Sequence, residues 1–140
     1  LKTNRLQMET DRSRLDNGVM SLSGLIIDTC GWVAMIDAKI NLDEGIKSIL
    51  GKPSLLTNDT VMKELTRLEA TRSSLLIDIL ESRANIRTHD QMHTDDALLM
   101  MAKDTGYPVL TVDRRLKERL ISEGCSYVEV TSGRVFRLVD

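Results

Sequence analysis

The chain has 140 residues, of which 41% are hydrophobic and 29% charged, and its formal net charge at pH 7 is −2. This length predicts one domain with a core that needs no disulfide or metal to hold it together. The near balance of charges excludes a strongly basic nucleic-acid coat, and no apolar run approaches the ~18 to 20 residues of a membrane span.

Residues 1–20 show poor apolar periodicity and no recognisable chemistry. They are predicted to be an extension of unknown role, followed by a single domain over residues 21–140. The extension lacks the continuous apolar segment of a secretory signal, and the two cysteines, Cys30 and Cys125, follow no metal-binding spacing. We therefore expect a cytoplasmic protein with reduced thiols and no membrane partner.

From residue 25 onward, short apolar runs alternate with segments of helical periodicity. The predicted elements are a strand at 25–27, helices at 32–38 and 42–50, a strand at 54–57, helices at 59–70 and 73–83, a strand at 85–88, a helix at 95–103, a strand at 109–112, a helix at 114–122, and strands at 128–130 and 135–138. Thr94 is expected to cap the helix at 95–103. This alternation predicts an α/β fold with a mainly parallel central sheet and helices on both faces.

Acidic residues stand next to the ends of these strands. Asp28 closes the first strand, Asp113 closes the fourth, Asp95 and Asp96 open the helix after the third, and Glu64 lies one turn into the helix after the second. Ligands of open parallel sheets bind outside the carboxyl ends of the strands. Carboxylates that converge there repel one another unless a cation neutralises them, and oxygen ligands suit Mg²⁺ or Mn²⁺. The pattern therefore predicts a divalent-metal site.

Each acid also has a structural explanation. Asp95 and Asp113 could simply cap helices, because a carboxylate there accepts backbone N–H bonds and complements the helix dipole. Glu64 could be a solvated helix acid. Asp28, directly after an apolar strand, has the fewest structural reasons to be acidic.

The segments around the four acids have a recognisable order. They read Ile-Ile-Asp-Thr at residues 26–29, Thr-Val-Met-Lys-Glu-Leu at 60–65, Thr-Asp-Asp-Ala-Leu-Leu at 94–99, and Val-Leu-Thr-Val-Asp-Arg-Arg-Leu at 109–116. In content and spacing they resemble the PIN-domain nuclease family over about residues 25–130. No single segment is specific, but the four in this order are.

The resemblance implies a metal-dependent endoribonuclease in a single PIN-like domain. Its catalytic and metal-binding residues would be Asp28, Glu64, Asp95 and Asp113, holding one or two Mg²⁺ or Mn²⁺ ions. Asp28 and Asp95 would be direct ligands, whereas Glu64 and Asp113 would act partly through water. The ions would activate water for in-line attack on a phosphodiester and leave a 5′-phosphate.

Other residues near the acids carry expectations of their own. Thr111 and Thr29 are expected to orient a carboxylate or a water with their hydroxyls. Asp96 is either an auxiliary metal ligand or a charge at the start of a helix. Cys30 departs from the family, which often has Asn or Ser two residues after the first acid. Because a thiol is a weak hydrogen bonder, the sequence does not show which group donates a hydrogen bond to Asp28.

RNA contacts are expected from local basic residues, since phosphates supply most nonspecific affinity. The candidates are Arg114, Arg115, Lys117, Arg119, Lys63 and Arg67. The alternative is an ordinary solvated face.

Three biological roles fit the resemblance. The basic segment after Asp113 resembles the branch that processes ribosomal RNA, which would involve a ribosome-assembly partner. The others are a VapC-type toxin held by an antitoxin, and a noncatalytic RNA-binding scaffold. The resemblance also implies a homodimer.

Overall fold

The computed structural model describes residues 23–69, 75–89 and 92–140, so the predicted extension at residues 1–20 lies outside the described residues. The elements in these ranges are β1 (Gly24–Ile27), α1 (Thr29–Asp37), α2 (Leu42–Leu50), β2 (Ser54–Asn58), α3 (Asp59–Glu69), α4 (Leu75–Arg83), β3 (Ala84–Arg87), α5 (Thr94–Thr105), β4 (Val109–Leu110), α6 (Arg114–Ser122), β5 (Tyr127–Val130) and β6 (Phe136–Val139). None of these helices is long and apolar enough to span a membrane.

The strands form one sheet in the order β3-β2-β1-β4-β5-β6. Every neighbouring pair is parallel except β5 and β6, which are antiparallel. From β1 the chain steps outward through β2 and β3, and it then crosses back to β4 on the other side of β1. With right-handed crossovers, this reversal places helices on both faces of the sheet. The predicted α/β fold is confirmed, and the switch point between β1 and β4 is where a ligand site is expected.

Two predicted boundaries are wrong for reasons that concern the site. Helix α1 begins at Thr29 rather than at residue 32, because the Asp28 side chain accepts the Thr29 backbone N–H and caps the helix. Strand β4 ends at Leu110 rather than at residue 112. There the Thr111 hydroxyl accepts the backbone N–H of Asp113, which turns the chain into α6.

Close packing between α1 and β4 fixes the position of the first acid. Strand β1 is fully buried at Leu25, Ile26 and Ile27. Gly31, in the first turn of α1, approaches β4 so closely that a Cβ atom there would lie 2.2 Å from the Leu110 carbonyl oxygen. Only glycine allows this approach. The packing brings the start of α1 beside the end of β4.

Candidate active site

A cleft of about 330 Å³ opens beside the ends of β1 and β4. The residues that line it are Asp28, Thr29, Cys30, Val33, Glu64, Leu68, Thr94, Asp95 and Asp113. Asp28 follows β1, Glu64 lies on α3, Asp95 on α5, and Asp113 follows β4. All four of the main acids predicted from the sequence therefore line one cleft.

Asp28 is buried, with 5% of its surface exposed. Its Oδ1 accepts the Thr29 backbone N–H at 2.8 Å, and its Oδ2 accepts the Thr111 hydroxyl at 2.7 Å. Burial raises the pKa of Asp28, the hydroxyl bond from Thr111 lowers it in part, and the nearby charge of Asp95 raises it further. The fold thus holds a carboxyl where its charged form is disfavoured without a positive partner.

The support that the sequence left open for Asp28 comes mainly from the end of the neighbouring strand. The Thr111 hydroxyl, fully buried, donates to Asp28 while accepting the Asp113 backbone N–H at 3.1 Å. The Cys30 thiol donates to the same Asp28 oxygen at 3.1 Å. Burial raises the pKa of this thiol to about 11, so it is protonated and able to donate at neutral pH. Thr111 also links the backbone at the fourth acid to the first.

Glu64 is held at both carboxylate oxygens. The Thr29 hydroxyl donates to Oε1 at 2.6 Å, and the Thr94 hydroxyl donates to Oε2 at 3.2 Å. These bonds join α1, α3 and α5. The predicted capping role of Thr94 is wrong: His93 is the N-cap residue, without a side-chain cap bond, and Thr94 is the first helical residue. Its hydroxyl donates to a carboxylate instead of accepting a backbone N–H.

Asp95 and Asp113 interact through their charges. Burial is the largest cause that raises the pKa of Asp95, followed by the negative charge of Asp113, while Arg119 lowers it and Glu64 raises it. Asp113 Oδ1 accepts the Leu116 backbone N–H at 3.1 Å and caps α6. The capping explanation is therefore correct for Asp113, and the same side chain also lines the cleft.

The donor chemistry of the cleft suits a hard divalent cation. Its potential ligand atoms are carboxylate and hydroxyl oxygens. A cation would offset the burial and the mutual repulsion that raise the pKa values of Asp28 and Asp95. Within the described ranges, however, no three acidic, His or Cys side chains form a preassembled metal cluster. Both oxygens of Asp28 and of Glu64 accept hydrogen bonds from the protein instead. Direct ligation would have to displace some of these bonds.

Asp96 does not line the cleft. Its Oδ1 lies 2.8 Å from Arg119 Nη2, in an ion pair between α5 and α6. This placement favours a charge at the helix start over an auxiliary metal ligand, and it gives Arg119 a protein partner.

The basic residues at the start of α6 differ in how available they are. The Lys117 ammonium lies 2.6 Å from Glu129 and 5.3 Å from the centre of the Tyr127 ring, so it ties α6 to β5. This pairing argues against an RNA contact by Lys117. The Arg114 side chain is 92% exposed, and its Nε lies 3.9 Å from Glu118 Oε2. An ion pair this long on the surface contributes little, so Arg114 is available to a phosphate.

Lys63 and Arg67 on α3, and Arg115 on α6, are exposed. Arg119 is also exposed, but it is paired with Asp96. Because a phosphate must reach the cation, the predicted RNA contacts that remain are Lys63, Arg67, Arg114 and Arg115.

The sequence alone assigns no site role to Val33, Leu68 and Thr94, yet all three line the cleft. Helical spacing contains a signal for two of them. Val33 is four residues after Thr29, and Leu68 is four residues after Glu64, which places each pair on one helix face. Apolar periodicity assigns such residues to the core by default.

Comparisons with known proteins agree with this geometry. A family model described as a PIN-like domain matches residues 25–132, a range that includes all four acids of the cleft. Among 17 significant matches to solved structures is the PIN domain endonuclease Utp24, at 27% sequence identity and a TM-score of 0.70. That match covers 82% of this chain and 90% of the Utp24 chain. No curated protein sequence matches at a significant level.

Proposed function

Because the chain belongs to the family of PIN-like domains, we propose that it is a divalent-metal-dependent endoribonuclease that hydrolyses RNA phosphodiester bonds. The observation that carries the proposal is the convergence of Asp28, Glu64, Asp95 and Asp113 on one cleft at the switch point of the sheet. The similarity to a PIN domain endonuclease supports it.

The four acids would hold one or two Mg²⁺ or Mn²⁺ ions. When bound, these ions would supply the positive charge that activates a water and stabilises the developing charge at the phosphate and the leaving oxygen.

The protein's own part is to fix the acids in place and keep them ready to ionise. Thr111 and the backbone of Thr29 direct hydrogen bonds at Asp28, which favour its charged form against the effect of burial. The hydroxyls of Thr29 and Thr94 hold Glu64 from two sides. Burial and the charges of Asp113 and Glu64 raise the pKa of Asp95, so a cation bound beside it would favour its charged form.

RNA would be held by cations beside the cleft. Lys63 and Arg67 lie on the same helix as Glu64, and Arg114 and Arg115 directly follow Asp113. Their charges would bind phosphates on either side of the cut, which brings the negative backbone to an acidic centre that would otherwise repel it.

We assign the enzyme to ribosomal-RNA processing, together with a ribosome-assembly partner, because the basic segment after Asp113 resembles that branch of the family. A toxin would arrest growth when expressed without its antitoxin. A noncatalytic scaffold is the second candidate, and one observation favours it: protein hydrogen bonds already occupy both oxygens of Asp28 and of Glu64.

The test uses purified protein and end-labelled single-stranded and structured RNAs, with Mn²⁺, with Mg²⁺ and with chelator. Asp28→Asn and Asp95→Asn should each lower cleavage by about 100-fold or more, since each removes an anion of the site. Asp104→Asn, on the exposed surface of α5, is the matched control and should cleave like wild type. The product should carry a 5′-phosphate.

Cleavage that persists in chelator or in both variants would contradict the proposal. RNA binding without cleavage under any metal condition would favour the scaffold. The proposed homodimer is tested separately by light scattering, which should give twice the 15.7 kDa of the chain.

A further inference from the structure

One wall of the acidic cleft is apolar. Val33 lies one turn beyond Thr29 on α1, and Leu68 lies one turn beyond Glu64 on α3. Both line the same cleft as the carboxylates, and Leu68 is 41% exposed. Residues four apart share a helix face, so each apolar side chain stands beside a polar group of the proposed site.

The proposed chemistry does not explain this wall. Carboxylates, a cation and phosphates are all polar, and none of them favours an exposed leucine in the lining of the cleft. Single exposed apolar residues are common on protein surfaces, and Ile121, 40% exposed on α6, is one of them. Leu68 differs because it lines the same cleft as the four acids, as does Val33, which also packs against the core.

Charge on α3 adds a second feature. Lys63 and Arg67 each precede a cleft residue, Glu64 and Leu68 respectively. A step of one residue rotates the side chain by roughly 100° around the helix axis, so α3 carries a basic row beside its row of cleft residues. An apolar row next to a cationic row matches a nucleotide, which has a flat, weakly polar base joined to an anionic phosphate.

We infer that Val33 and Leu68 form a nucleobase subsite next to the cutting position. The base beside the scissile phosphate packs against Leu68 and Val33, while adjoining phosphates lie near Lys63 and Arg67. This inference rests on the proposed function, and it names how the same cleft orients its RNA. A purine, with the larger face, is held more tightly than a pyrimidine at this position.

The experiment combines a protein change with a substrate change. After the cut site in a single-stranded RNA is mapped with Mn²⁺, RNAs with one abasic nucleotide at each flanking position are compared with the intact RNA. The proteins are wild type, Leu68→Ala, and Ile121→Ala as the control with matched exposure. The readouts are kcat/KM and the Kd measured with the Asp95→Asn form of each protein in Mg²⁺.

On intact RNA, Leu68→Ala should lower kcat/KM and weaken binding about fivefold, the factor expected when roughly 40 Å² of apolar contact is lost. Ile121→Ala should change neither. An abasic nucleotide at the subsite position should lower kcat/KM and weaken the binding of RNA to wild type by a similar factor. On that RNA, Leu68→Ala should cause no further loss of kcat/KM or affinity.

An equal loss for Leu68→Ala on intact and abasic RNA would overturn the inference, and so would no loss at all. If wild type binds RNA without cutting it, the proposed function fails, while the Kd comparison still tests the subsite with the abasic positions scanned along the whole RNA. Protein that neither binds nor cuts RNA would overturn both.

Discussion

Replacement of Thr111 by valine tests how the first acid is supported. The Thr111 side chain is fully buried, and its hydroxyl donates to Asp28 Oδ2 at 2.7 Å. Thr111→Val keeps the volume and shape of the side chain, so it removes the hydroxyl without opening a cavity. Two bonds are lost: the one donated to Asp28, and the one accepted from the Asp113 backbone N–H. The buried carboxylate then loses its shortest hydrogen bond.

The expected loss follows from the charge of the acceptor. A hydrogen bond to a charged group contributes roughly 1.5 to 3 kcal/mol to stability. For a chain of this length the unfolding entropy is about 0.3 kcal/mol/K, so loss of the Asp28 bond alone should lower Tm by about 5 to 10 °C where Asp28 is charged. Loss of the acceptor for the Asp113 N–H should add a smaller decrease that does not depend on pH.

The loss should depend on pH. Burial raises the folded-state pKa of Asp28 above its ordinary value of 3.8, and removing the hydroxyl raises that pKa further. At a pH above the pKa of Asp28 in both proteins the carboxylate is charged in each, and the full difference in stability is present. As pH falls through the raised pKa the carboxyl protonates, the bond becomes a neutral one, and the difference between the proteins shrinks.

The assay is thermal and denaturant unfolding of both proteins over a pH range that spans the raised pKa of Asp28, with Thr57→Val as the matched control. Thr57 is equally buried, but its hydroxyl donates to a neutral acceptor, the Ile27 carbonyl oxygen, at 2.9 Å. Its replacement should cost about 0.5 to 1.5 kcal/mol at every pH. Equal, pH-independent losses in the two variants would refute a charged, hydroxyl-supported Asp28.

Three further predictions follow from the packing and the charges. Gly31→Ala should destabilise the fold by about 3 kcal/mol or prevent folding, as judged by circular dichroism, because its Cβ would lie 2.2 Å from the Leu110 carbonyl oxygen. Thr94→Val should raise the Mn²⁺ concentration needed for half-maximal cleavage by about threefold or more. Thr94→Ser should not, since serine retains a hydroxyl that can donate to Glu64. Equal effects of the two substitutions would exclude a role of the Thr94 hydroxyl in metal binding. Mn²⁺ should raise the Tm of wild type, and it should raise the Tm of Asp95→Asn much less. The rise in wild type should disappear as pH falls through the raised pKa of Asp95, because protonation removes the anion. An equal rise in both proteins would place the metal elsewhere.

The spacing along the chain predicted most elements of the fold. Apolar runs and helical periodicity marked the central strands, and α2 and α6 have the predicted limits. Several limits moved by one or two residues, including those of β3 and β6, and the shifts at the start of α1 and the end of β4 are set by side chains near the site. Periodicity cannot show that Asp28 would start α1 three residues early, because that depends on which backbone N–H its carboxylate accepts.

The candidate acids were also visible in the sequence, since an acid that directly follows an apolar strand has few structural roles. The tertiary structure decided which partners they have. Thr94, predicted to be a cap, donates a hydrogen bond to Glu64. Asp96 forms an ion pair with Arg119 and does not line the cleft. Neither outcome follows from local spacing, because the residues in each pair are more than twenty positions apart.

The sequence by itself therefore determined the α/β class and the four candidate acids, three of them next to element ends and Glu64 within α3, because both depend on short-range pattern. Only the tertiary structure decided that Thr111 supports Asp28 from 83 positions away and that Val33 and Leu68 border the carboxylates. The physical reason is that hydrogen bonds and packing across a sheet depend on which strands lie side by side. The reversal between β1 and β4 sets that order for this chain.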